Sequence, residues 1–332
     1  MQTEKYGEGK GQAKARGKKM QIAARRLSLV SRLAGDFAVL LLGISTLMFF
    51  ALRAAGDPII VMAGENATPE MVEALRQQYG FDQPLLVQYV YYLLNVLRFD
   101  FGSSLATGQA ALPYVLDHLP ATILLAFLGM MVTLSVSIPV GAWLGARPDT
   151  PGRRITASVI FFMQGLPGFV TALILIQIFV VQLMWLPSLG YADLRTWILP
   201  SISLASFLAP KLIRVIATNV SEAMRQEYVR TARSIGASPR SILWREAMPN
   251  AMLGAVALIG AQFAFLFAGA VIIEVLFMWP GIGLLLIKSA ETLDFPVLQA
   301  IAFVVAVLVF LVNASTNLTF KIIDPRVGQS VR

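Results

Sequence analysis

The sequence predicts an all-α integral membrane protein: six transmembrane helices, with a helical extracytoplasmic insert after the first. Three observations predict it. Hydrophobic residues fill 57% of the 332 positions and charged residues 14%, well below the roughly 25% charged of an ordinary soluble domain. The apolar residues come in uncharged runs near the length a bilayer requires. The basic residues collect between alternate runs. The same composition excludes a disordered chain, a disulfide scaffold and a conventional soluble enzyme. With no cysteine there is no disulfide, thiolate metal site or cysteine nucleophile, and the single histidine, His118, argues against a histidine metal centre or a serine triad. No catalytic and no metal-binding residue is expected.

Residues 1–26 are polar, rich in Gly and Lys and lack apolar periodicity, so 1–32 reads as a basic cytoplasmic tail. A signal peptide is the rival reading, but no apolar segment occurs before residue 33 and no small-residue cleavage pattern follows closely. Such a tail reads either as a contact with anionic membrane lipid or as a solvated orientation signal. The first span is Leu33–Leu52, within a helix over 33–54, with one charge, Asp36. The insert runs over 55–116. In it Thr68, Pro69 and Glu70 read as N-cap, first helical proline and first-turn acid, and Gly80 as the stop. Pro84–Leu97 is too short to span and suits an interfacial helix.

A five-helix core over 117–322 completes the membrane part, before a tail at 323–332. Its spans are Leu119–Ala146, Ile155–Ala192, Thr196–Pro210 with continuation to about Val220, Ala247–Ile273 and Phe295–Phe320. Gly165, Pro167, Gly168 and Pro187 interrupt the second of these, so only its first part needs to cross. Six spans put both ends on one side. Of the 27 Lys and Arg, 22 lie in the termini and in the loops on the termini's side, and five on the other, which places the termini in the cytoplasm. Topology thus accounts for most of the +8 charge, and no nucleic-acid partner is needed.

The most informative stretch is the loop 221–250. A helix ends at Ile235 with Tyr228, Ala232 and Ile235 spaced as one face, and Arg225, Arg230 and Arg233 off it. Gly236 suits the left-handed stop, and Ser238-Pro239 restarts a helix as N-cap and first residue. Ile242, Leu243, Ala247 and Met248 give the new helix an apolar face. Helix, sharp turn and helix make a rigid elbow whose small residues, Gly236, Ala237 and Ser238, let another backbone approach closely.

Further on, Glu274 follows 27 uncharged residues. A carboxylate at membrane depth costs about 2.5–3.5 kcal/mol on insertion scales, so it faces the bundle, a partner or the outer interface. It reads either as part of a pathway or gate, or as a structural hydrogen bond near the outer end. Trp279, Pro280 and Gly281 break the span, and irregular backbone there lines water or is buried in protein. Gly283–Leu293 then forms a short helix near the outer mouth, as a gate, a docking surface or a connector. Asp57 reads as a cap and His118 as an interfacial side chain bonded to a neighbour. The 13 methionines read as packing residues.

Loop 221–250 resembles the ATPase-binding loop of permeases in binding-protein-dependent ABC importers. Ala232 and Gly236 stand at the second alanine and the glycine of that pattern, and Met248-Pro249 at its Leu-Pro. Arg230 and Thr231 replace its glutamate and first alanine, as the dipeptide, oligopeptide and nickel branch tolerates. Gly56-Asp57-Pro58, Asp100 to Ser104, Leu119 to Thr122, Glu274 to Gly283, Asp294 to Val297 and Asp324-Pro325-Arg326 resemble that branch's further motifs, in its order. Thr316 stands near the place of the branch's acid in the last span.

The resemblance implies the type I importer permease fold. It implies a second homologous permease subunit, two cytoplasmic ABC ATPase subunits and an extracytoplasmic solute-binding protein. The coupling residues it implies are Glu227, Tyr228, Arg230, Thr231, Ala232, Arg233, Gly236, Ala237, Ser238 and Pro239, with Glu274, Trp279, Pro280 and Gly281 at a pathway or gate. No Gly-x-x-x-x-Gly-Lys-Ser/Thr loop is present, so ATP and magnesium belong to the partner ATPases and this chain holds no cofactor. The implied cargo is peptides or related small solutes. A self-contained ion-coupled secondary transporter is the rival. It would show intramembrane charges or paired broken helices in two halves, whereas Glu274 is almost alone and no symmetric halves are apparent.

Overall fold

The computed structural model describes residues 31–323 except 32, 55, 65, 66, 148, 149 and 188. The basic tail up to residue 30 and Asp324-Pro325-Arg326 lie outside them. Among the described residues the chain is helical, and the nearest approach to a strand is an isolated bridge between Ser103 and Ala110. Four helices are long and apolar enough to cross a bilayer, and six spans result if each of two bent pairs crosses as one.

Helix α1 (Leu33–Ala54) leads to three short helices, α2 (Pro58–Ala63), α3 (Pro69–Gln78) and α4 (Leu85–Leu97). Asp57 caps α2 by accepting from Ile59 N and pairs with Arg76 of α3, which folds the insert onto itself. Thr68 caps α3 as its spacing predicts, and Gly80 follows with φ +69°. Phe49 of α1 packs on Tyr89 and Tyr92 of α4, so the insert rests on the C-terminal end of the first span.

Helix α5 (Ala111–Ala146) starts eight residues before the apolar run at Leu119. Ala111 and Val115 are fully buried against α12 and α13 while Asp117 is exposed, so packing, not hydropathy, sets this start. His118 Nδ1 lies 2.9 Å from Tyr114 O, a local contact within the helix. Helices α6 (Pro151–Gln164) and α7 (Gly168–Leu175, continuing as a π turn through Gln182) meet at 102°. At 1.5 Å per residue α6 is about 21 Å long, short of a hydrocarbon core of about 30 Å. The expectation was that only the first part of this segment needs to cross; α6 alone falls short of that length, and only α6 and α7 taken together have the length and apolarity of a span. Pro167 supplies no N–H and disfavours helix before it, which breaks the segment there.

Helix α8 (Ile198–Ala223) is the most enclosed of the four unbroken spans. It packs along α5 because Gly129, Gly141 and Gly145 leave no Cβ between them. A Cβ at Gly129 would stand 2.8 Å from Leu204, and one at Gly141 2.8 Å from Ile216. Small residues four apart let helix backbones meet in this way. The elbow holds α9 (Glu227–Ser234) and α10 (Pro239–Ser241), which runs through a π turn (Ile242–Ala247) into α11 (Met248–Leu276). Helices α12 (Ile282–Glu291) and α13 (Phe295–Ile323) follow. Buried clusters occupy successive levels: Val115, Ile282 and Val297 at the end away from the elbow, Leu125, Leu204 and Leu266 in the middle, and Ile216, Val220 and Met248 beneath the elbow.

Candidate functional site

Two breaks in the helical framework carry the candidate residues. At the elbow, α8 ends at Ala223 and Gln226 is extended (φ −73°, ψ 155°) before α9 begins. Gly236 takes φ +83°. Its N–H donates to Arg233 O at 3.1 Å, and the Ala237 N–H to Ala232 O at 3.0 Å. That pair of bonds closes a helix around a left-handed residue and satisfies its last carbonyls. Ser238 Oγ then accepts from Ser241 N at 3.3 Å, with Pro239 at the first position of α10. These local expectations hold.

The expected face does not. The structure buries Val229, Ala232 and Ile242 together, with Met224 and Ala237 beside them. Tyr228 and Ile235 point outward, and Ile235 is 78% exposed. The separate start of α9 at Glu227 rotates the face by one position, so Val229 rather than Tyr228 meets α10's continuation. The tip consequently presents Glu227, Tyr228, Arg230, Thr231, Arg233, Gly236, Ser238 and Pro239 to the outside. Arg230 donates to Glu227 at 2.9 Å in an exposed pair worth a few tenths of a kcal/mol (about 0.3).

The tip is bound to the bundle by firmer contacts. Ala247, Met248 and Ala251 pack on Ile216 and Val220 of α8. Asn219 Nδ2 donates to Ala251 O at 3.0 Å, over Gly254, where a Cβ would stand 2.9 Å from that amide. These contacts join the tip to α8, and the glycine contacts join α8 to α5.

At the other break, Glu274 is fully buried. Its carboxylate accepts from Thr122 Oγ1 at 2.7 Å, Gly283 N at 2.6 Å and Leu284 N at 3.2 Å. Thr122 Oγ1 in turn accepts from Ile282 N at 2.8 Å. Three N–H groups at the start of α12, which no helical turn can satisfy, are thus met by side chains of α11 and α5. The carboxylate also lies at the helix's positive end. Gly281 and Gly283 are required: a Cβ on Gly281 would overlap the Glu274 carboxylate, and one on Gly283 would stand 2.5 Å from Val271 Cα. Trp279, fully buried, donates from Nε1 to Ala121 O at 2.8 Å. Nearby, buried Asp294 accepts from Ser104 Oγ and, at 3.1 Å, from Leu105 N.

The motif residues scattered along the chain thus meet pairwise: Thr122 with Glu274, Ala121 with Trp279, Ser104 with Asp294. Sequence reasoning singled out each segment but not the pairs, and it passed over the glycines of α5. Gly141-x-x-x-Gly145 inside an apolar run was the available signal for the latter.

Comparison with known proteins agrees with this geometry. Residues 137–329 match the family described as Binding-protein-dependent transport system inner membrane component, and residues 26–126 match its N-terminal companion. The glutathione transport system permease protein GsiC of Salmonella typhi is 31% identical over 303 residues, covering 90% of this chain and 98% of the relative. The probable peptide ABC transporter permease protein y4tP of Sinorhizobium fredii is 33% identical over 308 residues, with the same coverage. Among solved structures, an inward-facing form of the MetNI methionine ABC transporter aligns with a TM-score of 0.54 at 16% identity, over 64% of this chain and 96% of that one, which supports the fold alone. The chain belongs to the binding-protein-dependent transport system inner membrane components: it is a permease of an ABC importer.

Proposed function

We propose that this permease forms, with a second similar subunit, the alternating-access path of an ATP-driven importer for peptides or related small solutes, glutathione-like peptides among them. The names of the two relatives support that cargo class. Two cytoplasmic ATPase subunits supply ATP and magnesium chemistry, an extracytoplasmic binding protein delivers the solute, and this chain holds no cofactor. The elbow and both termini face the cytoplasm. One observation carries the reading: a capped, outward-facing tip, Glu227 to Pro239, is seated through Asn219, Ile216 and Val220 on the most enclosed of the unbroken spans.

In this scheme the ATPase grips the tip around Gly236. Its closure pushes α9 and α10, the push passes to α8 and α5, and the bundle rotates against its partner subunit. The outer break serves as a gate element in which Glu274, Trp279, Pro280 and Gly281 hold α12 in position. Glu274 acts there by fixing backbone, since its carboxylate is spent on Thr122, Gly283 and Leu284.

The test is reconstitution. Membranes expressing the chain with its operon partners are solubilised, and the tagged permease is purified and placed in liposomes. ATPase subunits should co-purify, and uptake of a labelled peptide should require them, ATP and the binding protein. Uptake by the chain alone under an ion gradient would overturn the proposal in favour of a secondary carrier.

A further inference from the structure

The C-terminal end of α5, the start of α6 and the elbow frame a half-open cavity of about 630 Å³. Four guanidinium groups line it, Arg147, Arg153, Arg233 and Arg240, and among the described residues no carboxylate does. Two come from the α5–α6 connection and two from the elbow, so the fold gathers them from positions up to 93 apart in the chain. Among the described residues none of the four is paired with a carboxylate. Arg153 lies over the Trp143 ring, 5.0 Å from its centroid, and its Nη1 is buried with no hydrogen-bond partner.

Like charges around one cavity repel unless an anion sits among them. A buried donor without an acceptor makes the same demand. The walls are not purely polar: Trp143 and Leu243 contribute apolar surface. Trp143 is 45% exposed and stands three residues from the end of α5, and tryptophan is a residue type enriched at membrane–water interfaces.

We infer that this cavity holds the phosphate of an anionic phospholipid headgroup. The arginines take the phosphate oxygens, and Trp143 and Leu243 lie against the glycerol and first acyl carbons. Basic pockets between helices on the cytoplasmic side bind such headgroups. The choice of leaflet rests on the proposed cytoplasmic placement of the elbow, whereas the cavity and its charges do not. A bound headgroup would tie the elbow to the α5–α6 connection, so anionic lipid content would set how stiffly the tip is coupled to the bundle.

The test uses the full permease–ATPase complex, delipidated in detergent and titrated with phosphatidylglycerol or phosphatidylcholine, with bound lipid counted by native mass spectrometry. Phosphatidylglycerol should be retained over phosphatidylcholine. Arg153→Gln and Arg240→Gln should each weaken it about fivefold, and Arg195→Gln, far from the cavity, should leave it unchanged. Should either variant fold poorly, Arg147→Gln, at an exposed side chain, makes the same test. Equal retention of the two lipids, or unchanged binding in the arginine variants, overturns the proposal. Displacement by millimolar inorganic phosphate alone would reassign the site to free phosphate and overturn the lipid. Loss of the ATPases from the arginine variants with phosphatidylglycerol binding intact would assign the arginines to the motor instead. Motor-dependent uptake by the unaltered complex is scored separately: its absence sinks the importer reading and leaves the lipid count readable.

Discussion

The elbow at Gly236 and the outer break at Trp279 are built by the same turn and used in opposite ways. In each, a helix closes around a left-handed residue, with bonds from the next two N–H groups back into its last turn: Gly236 and Ala237 at one, Met278 and Trp279 at the other. In each, a new helix starts within a few residues. The difference lies in what caps the restart. Ser238 caps α10 from within the turn itself, so the elbow is complete without the bundle and its outward face is free for a partner. At the outer break Gly281 has no side chain to offer, and α12 is capped by Glu274 and Thr122 from two other helices. A self-capped turn can be a handle. A turn capped from elsewhere is a lock.

The comparison is broken most severely at the lock. Glu274→Ala strands the buried Gly283 N–H, the partly buried Leu284 N–H and the Thr122 hydroxyl, at about 1–3 kcal/mol for each fully buried group. It should abolish recovery of folded permease from detergent, read by thermal unfolding and size-exclusion chromatography. Glu274→Gln keeps one acceptor oxygen and should fold with a lower Tm; normal transport by that variant would remove Glu274 from any gating role. Gly281→Ala forces a methyl group into the carboxylate and should cost about 1–3 kcal/mol, with the same readout.

Gly236→Val sharpens the contrast. No atom lies within 4 Å of the added Cβ, so the effect is backbone strain alone, about 1–2 kcal/mol, confined to the tip. ATPase co-purification and uptake should fall while membrane insertion and Tm of the bundle persist, and Gly236→Asn should recover part of the loss. Unchanged uptake would remove the elbow from coupling. Ser238→Ala should weaken the restart by about 1 kcal/mol and reduce coupling less. Arg230→Gln removes only an exposed pair and should change stability by less than about 0.5 kcal/mol, so any large drop in ATPase binding would identify Arg230 as a contact with the motor.

Much of the handle was legible in the sequence, because its signals are local. Gly after a helix, Ser-Pro before one, and Thr68-Pro69 in the insert each report on the few backbone groups beside them. Burial was less legible. Tyr228, Ala232 and Ile235 have helical spacing, but Val229 lies inside, because the chain breaks at Met224 to Gln226 and starts α9 afresh. The start of α5 at Ala111 was hidden for a related reason: Ala111 and Val115 are buried by α12 and α13, and hydropathy along the chain does not register contacts with residues far along it.

The residue order alone determined the membrane character, the sites of the breaks, the chemistry of the turns and the family motifs in their sequence, since runs of apolar residues, caps and glycines act over distances of a few residues. Only tertiary structure decided that Glu274 is saturated by Thr122 and the α12 backbone, that three glycines of α5 seat α8, and that arginines from two loops share one cavity. Those outcomes depend on which helices lie side by side, and side-by-side placement is settled by the packing of the whole bundle.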